Sequence, residues 1–206
     1  MSTLKAFTDS ISDVSTVLLS TLSCSLGLPA DEGLEKYHKP DTPSPDIIRL
    51  LKYHAQPAEE LGICHTPHTD MGSLTFLFTR QPGLQVLSPV SGQWEWVQPI
   101  TGCAIVNLGD GMSLLTNGYF HSCLHRVGPL PGRSMQLRYS FAYLQRAEEE
   151  TPMTGLKSNL FPTRDPEAEV FTSGEWLQRK FGMLRLETHK NDDSWVLTGR
   201  KNGVPN

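Results

Sequence analysis

The chain has no C-x-x-C pair; its four cysteines, Cys24, Cys64, Cys103 and Cys123, stand far apart. That spacing gives no disulfide framework and makes a reduced, cytoplasmic setting the expectation. Charge of one sign is also scarce. A formal net charge of −4 over 206 residues offers no basis for nucleic acid or anionic lipid as a partner. Long apolar runs are missing too. The stretch around Val17-Leu18-Leu19 is short, follows Asp9 and Asp13 and has Lys5 as its only base, so it reads as neither a signal peptide nor a membrane span. Internal repeats and low-complexity tracts are absent. What is present, 38% apolar residues in 206, suits one globular domain with a sizeable core.

Leu4, Phe7, Ile11, Val14, Leu18, Leu22 and Leu26 recur at steps of three and four. This is the stripe of an amphipathic helix, stopped by Gly27 and Pro29. Residues 29–46, rich in Pro, Asp, Glu and Lys, read as a connecting loop. From Ile47 the texture becomes that of short strands: Ile48–Tyr53, Thr66–Asp70, Leu74–Thr79, Leu84–Ser88, Trp94–Gln98, Ala104–Asn107, Tyr119–Arg126 and Leu137–Leu144. Pro82-Gly83, Ser91-Gly92, Gly109-Asp110-Gly111, Asn117-Gly118 and Pro131-Gly132 punctuate them. Asn117-Gly118 is the strongest hairpin signal, because both central positions of a type I′ turn need positive φ. Eight such strands point to a two-sheet barrel or jelly roll. Thr172-Ser173-Gly174-Glu175 then offers a capping box to a C-terminal helix carrying Trp176, Leu177 and Phe181 on one side, and the tail from about Asn191 reads as loosely held. Three segments result: residues 1–46 as N-terminal helix and linker, 47–147 as the core, 148–206 as C-terminal helix and tail.

The chemistry concentrates in His68-Thr69-Asp70 and His125. Successive strand residues point to opposite faces, so His68 and Asp70 share one. A third ligand must come from a strand distant in sequence, and His125 follows fifty-five positions after Asp70. Two neutral imidazoles and one carboxylate suit Fe(II), occupying one face of an octahedron and leaving the other open, whereas a structural zinc site closes all four positions. Taken singly, each histidine also reads as an ordinary core or surface group. His121, Cys123 and His125 form a competing zinc arrangement, without a second cluster of matching spacing. His65 has the wrong strand parity to join His68 and Asp70, and reads as a neighbour of the site or a solvent-facing group.

Arg138-Tyr139-Ser140 comes thirteen residues after His125. Arg138 and Ser140 share a strand face, while Leu137, Tyr139 and Phe141 share the other. The guanidinium fork binds a carboxylate bidentately and the serine adds a hydroxyl; pairing with an internal Asp or Glu is the alternative. A dicarboxylate could chelate the metal with one end and meet Arg138 with the other. Tyr53 can donate a further hydrogen bond, or serve only in packing.

In order, His68-Thr69-Asp70-Met71-Gly72-Ser73-Leu74-Thr75, Gly83-Leu84-Gln85-Val86-Leu87, Val106-Asn107-Leu108-Gly109-Asp110, Leu115-Thr116-Asn117-Gly118, His125-Arg126-Val127 and Arg138-Tyr139-Ser140 resemble the 2-oxoglutarate/Fe(II)-dependent dioxygenases of the isopenicillin N synthase type. The resemblance covers roughly residues 47–147. It implies a mainly β fold, a double-stranded β-helix with flanking N- and C-terminal helices. It implies that His68, Asp70 and His125 bind Fe(II), and that Arg138, Ser140 and Tyr53 hold 2-oxoglutarate. Tyr53 matches the family's N-x-Y-[Y/P]-P stretch with Leu51 in place of the Asn and His54-Ala55 after the tyrosine. The implied reaction uses O2, releases succinate and CO2, and hydroxylates, desaturates or cyclises a small organic molecule; the family's breadth makes tailoring of secondary metabolites the expectation. Relatives that share the R-x-S without using 2-oxoglutarate keep a plain Fe(II) oxidase open. Family members usually carry a longer N-terminal region than the 46 residues before the first core strand here, so a compact member and a truncated, impaired one both remain open. Phe76, Phe78 and Phe120 are candidates for a pocket wall and, more simply, for barrel packing.

Overall fold

Alternation along the strands decides which side chains line the interior and which face the helices. The computed structural model describes residues 3–55 and 65–183; Cys64, residues 56–57 of the tyrosine stretch and the tail from Asn191 lie outside them. Helix α1 (Thr3–Ser25) leads through a 3-10 turn (Leu34–Tyr37) into β1 (Ile47–Tyr53), β2 (His65–His68), β3 (Leu74–Thr79), β4 (Leu84–Leu87), β5 (Trp94–Trp96), β6 (Ile105–Leu108), α2 (Asp110–Leu115), β7 (His125–Val127), β8 (Arg138–Gln145) and α3 (Ser173–Met183). Two four-stranded antiparallel sheets form, in the orders β1-β8-β3-β6 and β2-β7-β4-β5. Non-sequential neighbours in both sheets are the mark of a jelly roll, which shields sheet edges by facing one sheet with another. This is the double-stranded β-helix expected.

β8 sets the layers. Arg138, Ser140 and Ala142 are buried on one face while Tyr139 is 51% exposed on the other. On the outer face of this sheet, Phe7 of α1 packs edge-on against Phe141, Phe78 and Tyr143, at ring-centroid distances of 4.7, 5.7 and 6.3 Å. A continuous core joins Ile11 and Leu19 of α1, Leu74 and Phe76 of β3, Met112 and Leu115 of α2, and Trp176 and Leu177 of α3. Each large side chain so buried contributes about 1.5–3 kcal/mol. All three sequence segments therefore share one core. Phe76, Phe78 and Phe120 belong to it and do not line the interior cleft. A smaller cluster of Leu84, Val127 and Met135 closes the barrel interior.

Several sequence expectations need adjustment. The buried line of α1 is Ile11, Ser15, Leu19 and Ser23, whereas Leu4 and Val14 are 54% and 50% exposed. The stripe is rotated because both serines have internal partners. Ser15 donates to Gln145 Oε1, and Ser23 Oγ donates to Glu35 and accepts from Leu34 N–H at 2.8 Å. Loop 29–46 contains the 3-10 turn. Gly109-Asp110-Gly111 opens α2 rather than a strand turn. Asn117 and Gly118 do have positive φ, 50° and 79°, but they end α2 and join no hairpin, and the strand expected at Tyr119–Arg126 shortens to β7. The capping box at α3 forms: Thr172 N–H donates to Glu175 Oε2 at 2.9 Å, and Glu175 N–H to Thr172 Oγ1 at 3.3 Å. Trp176 and Leu177 are buried, but Phe181 is 43% exposed. Among the described residues no helix is long and apolar enough to cross a membrane, and Cys24, Cys103 and Cys123 are free thiols.

Candidate metal centre

His68 and His125 are direct register partners across β2 and β7, so their side chains rise from the same face as cross-strand neighbours. Their rings stand 4.3 Å apart. Asp70 reaches them differently from the alternation argument, since β2 ends at His68 and Asp70 lies in the loop beyond. That loop is held by a second one from β6. Asp110 N–H donates to Asp70 O at 2.8 Å, Gly109 N–H to Ser73 O at 3.1 Å and Gly111 N–H to Gly72 O at 2.9 Å. A Cβ on Gly109 would stand 2.3 Å from Gly72 O and 2.7 Å from Asp70 O, so only glycine lets the two backbones approach this closely. Asn107 Nδ2 donates to Asp70 Oδ2 at 3.1 Å.

The result is a cluster of three donors. His68 Nε2 and His125 Nε2 each lie 3.9 Å from an Asp70 carboxylate oxygen, and one ligand atom from each residue falls within 4.8 Å of the others. These separations exceed hydrogen bonding and suit a shared ion. The protonation pattern agrees. His68 Nδ1 donates to Thr66 O at 2.8 Å and His125 Nδ1 to Cys123 O at 3.0 Å. Each ring is thereby fixed in the tautomer whose Nε2 lone pair faces Asp70, the second-sphere arrangement metal-binding histidines require. Burial, with His125 and His65 nearby, pushes the His68 pKa down to about 4, so its imidazole is neutral at physiological pH. Burial alone would raise the Asp70 pKa; His125, the Asn107 hydrogen bond, the nearby Thr75 hydroxyl and His68 outweigh it and hold the carboxyl below its usual value. Two Nδ1-anchored imidazoles and a carboxylate with open space beside them match Fe(II), and the residues present fit that ion. This cluster is the one grouping of three or more such donors among the described residues, and the competing His121–Cys123–His125 zinc arrangement does not form there.

His65 is closer to the site than its parity indicates. The pairing of β2 with β7 shifts between His65 and His68, which cancels the alternation. Its ring packs edge-on against His68, 4.1 Å between centroids.

Behind the donors runs a narrow cleft of about 50 Å³ between the sheets, lined also by Tyr53, Arg138, Ser140, Thr75 and Asn107. Arg138 is 1% exposed and its guanidinium lies over the Tyr53 ring, 5.0 Å from the centroid. Tyr53 and Arg138 are register partners. Ser140 Oγ is buried with no hydrogen-bond partner among the described residues. A buried hydroxyl in that condition implies a missing acceptor or donor, and it faces the same cleft as the guanidinium. The expected anchor residues are thus brought together at one end, the three donors at the other.

Sequence reasoning missed three features. Asn107 and Gly109 orient Asp70, and only their place in an ordered motif hinted at it. Arg49 of β1 also lines the cleft; its parity with Tyr53 was the available signal. Finally, Asp110, 3% exposed, pairs with Lys180, 2% exposed, and accepts from Thr69 Oγ1 at 3.1 Å, tying α3 to the segment between two donors.

A jelly roll whose interior holds a His-x-Asp…His cluster beside a buried Arg-x-Ser pair defines a non-haem iron oxygenase class. The family model described as the 2OG-Fe(II) oxygenase superfamily matches residues 44–147, and the chain belongs to that superfamily, whose members use Fe(II), 2-oxoglutarate and O2. It is 33% identical over 196 residues to the 2-oxoglutarate-dependent dioxygenase frbH of Dothideomycetidae sp. (strain 11243), covering 95% of this chain and 58% of that one. It is 36% identical over 190 residues to the 2-oxoglutarate-dependent dioxygenase iboH of Amanita muscaria, covering 90% and 86%. A 2OG-Fe(II) oxygenase family protein from Caulobacter crescentus superposes with a TM-score of 0.72 at 27% identity, covering 87% of this chain and 58% of that one. JOX2 in complex with 2OG, Fe and JA gives 0.70 at 26%, covering 85% and 51%. The chain spans about half the length of several curated relatives it matches, 45% and 52% in two of them.

Proposed function

We propose that the chain is an Fe(II)- and 2-oxoglutarate-dependent dioxygenase that oxidises a small organic metabolite with release of succinate and CO2. The observation that carries the reading is the pair of Nδ1-anchored imidazoles aiming Nε2 at Asp70. His68, Asp70 and His125 are the metal ligands in this reading. When bound, Fe(II) supplies the redox chemistry, coupling reduction of O2 and oxidative decarboxylation of 2-oxoglutarate to oxidation of a substrate C–H bond. The protein's part is positioning. Arg138 and Ser140 take the distal carboxylate, the first as a charged fork and the second with its otherwise unmet hydroxyl. Tyr53 closes the cleft over Arg138. The apolar walls, Leu77, Leu84 and Val127, keep water from competing for these groups.

Residues 47–147 form the catalytic core in this reading, with residues 1–46 and 148–206 covering it. Free thiols at Cys24, Cys103 and Cys123 support a reducing, cytoplasmic compartment, and the net charge of −4 supports a small molecule rather than nucleic acid as partner. Hydroxylation, desaturation or cyclisation of a secondary metabolite is the expected outcome. The test is turnover of Fe(II)-loaded protein against a metabolite panel, following succinate and CO2. Succinate released in step with substrate oxidation supports the reading. Substrate oxidised with O2 consumption but no succinate overturns it in favour of an Fe(II) oxidase that does not use 2-oxoglutarate.

A further inference from the structure

We infer that Arg49 is the docking cation for the substrate, and that the substrate is a small molecule bearing a carboxylate. This rests on the dioxygenase reading above. Arg49 lies on β1 in phase with Leu51 and Tyr53, and all three line the cleft. Its register partner is Ala142, whereas Tyr53 pairs with Arg138 and Leu51 with Ser140. Arg49 therefore stands apart from the Arg138–Ser140 end. Ala142 lies two residues from Leu144, whose partner Thr75 pairs in turn with Asn107, the donor to Asp70, which places Arg49 on the side of the metal donors. The small Ala142 opposite leaves room for the guanidinium to reach across.

Two other arginines near the barrel, Arg126 and Arg146, have evident occupations. Arg126 donates to Gln85 at 2.8 Å and lies 4.1 Å over Trp94. Arg146 donates to Pro45 O and sits beside Asp46. Arg49 is half-buried, and no ion pair ties it to an acid among the described residues. Charge balance makes it distinctive. Asp70 and the two carboxylates of 2-oxoglutarate together match the metal's two charges and Arg138. Among the described residues that line the cleft, Arg49 is the positive charge left over. A monocarboxylate completes neutrality there, and the planar fork of arginine fits that group bidentately. A neutral substrate would leave a half-buried cation without compensation.

The test uses the full chain loaded anaerobically with Fe(II) and 2-oxoglutarate. Calorimetry measures binding of benzoate against benzamide, phenylacetate against phenylacetamide and hexanoate against hexanamide. At least one acid is expected to bind about tenfold or more tighter than its amide. Arg49→Gln should erase that preference, Arg49→Lys should keep part of it, and neither should move Fe(II) or 2-oxoglutarate affinity by more than about twofold. Melting temperatures confirm that both variants fold; if Arg49→Gln does not, Arg49→Lys and a salt titration of the parent carry the measurement. Acids and amides binding alike, as expected if a carboxylate of the chain itself meets Arg49, or no acid binding at all, overturns the inference. So does a loss of 2-oxoglutarate affinity in Arg49→Gln, which would move Arg49 into the co-substrate anchor and leave the dioxygenase reading standing. A parent that binds neither Fe(II) nor 2-oxoglutarate sinks that reading first, and this inference with it.

Discussion

Replacing Arg138 with Met tests the co-substrate anchor with little disturbance of packing. The substitution keeps an unbranched stem under the Tyr53 ring and removes the fork that sits 5.0 Å from that ring's centroid. Arg138 is 1% exposed, so an anion bound to it is shielded from solvent. Truncating one partner of a buried, hydrogen-bonded charge pair costs roughly 2–5 kcal/mol. At about 1.4 kcal/mol per tenfold, the Kd for 2-oxoglutarate should rise roughly 30-fold to a few thousandfold. Fe(II) affinity in the absence of 2-oxoglutarate should hardly change, because Arg138 is not among the clustered donors. Anaerobic calorimetry of 2-oxoglutarate into Fe(II)-loaded parent and variant measures both. Thermal unfolding gives an independent reading, since a ligand at 100 times its Kd adds about 2.7 kcal/mol to stability and the variant should lose that increment. A variant that binds 2-oxoglutarate within about threefold of the parent would refute the assignment.

Three further outcomes follow from the same geometry. Gly109→Ala puts a methyl group against Gly72 O and Asp70 O; overpacking of this kind costs about 1–3 kcal/mol, and the displaced Asp70 should weaken Fe(II) binding at least about tenfold, read by anaerobic metal titration. Unchanged affinity would show that the loop contact does not set the ligand. Lys180→Met leaves Asp110 buried without its cation and should destabilise by about 3–5 kcal/mol, with much of the loss restored in the Lys180→Met/Asp110→Asn double variant; additive losses in urea melts would contradict a direct pair. His38, 5% exposed between Leu34 O and Ser73 Oγ, has its pKa lowered by burial from 6.5. Its folded pKa lies below the unfolded value, so it stabilises fully above pH 6.5 and that contribution is lost as pH falls. His38→Asn should flatten the fall in stability between pH 7 and pH 5, and an unaltered slope would argue against it.

The convergence of His68, Asp70 and His125 was legible because the chemistry restricts residue types and because strands alternate. Yet Asp70 joins the cluster for a reason that alternation gives only in part. Its strand stops at His68, and the orientation comes from Asn107–Gly111, about forty residues later, a tertiary contact that no local pattern encodes. The Arg138–Ser140 face was predictable because β8 is regular from end to end. Helix α2 was hidden by two glycines that signal turns in isolation; here they permit the approach of two backbones. Asn117-Gly118 carried the right φ signs and the wrong partner, since positive φ can end a helix as well as turn a hairpin. In α1 the buried serines rotated the hydrophobic stripe because partners 11 to 130 residues away satisfy their hydroxyls. Arg49 carries no motif of its own, and only its even spacing from Tyr53 along β1 puts it on the cleft face.

Anaerobic Fe(II) titration, followed by addition of 2-oxoglutarate, addresses the central claim most directly. Convergence of two imidazoles and one carboxylate predicts a single Fe(II) bound per parent chain and a weak visible charge-transfer band that develops only when 2-oxoglutarate joins it. His68→Ala, Asp70→Ala and His125→Ala should each lose the tight iron and the band. Retention of parental iron affinity in any of the three, or a parent that binds iron and 2-oxoglutarate without the band, would contradict the account.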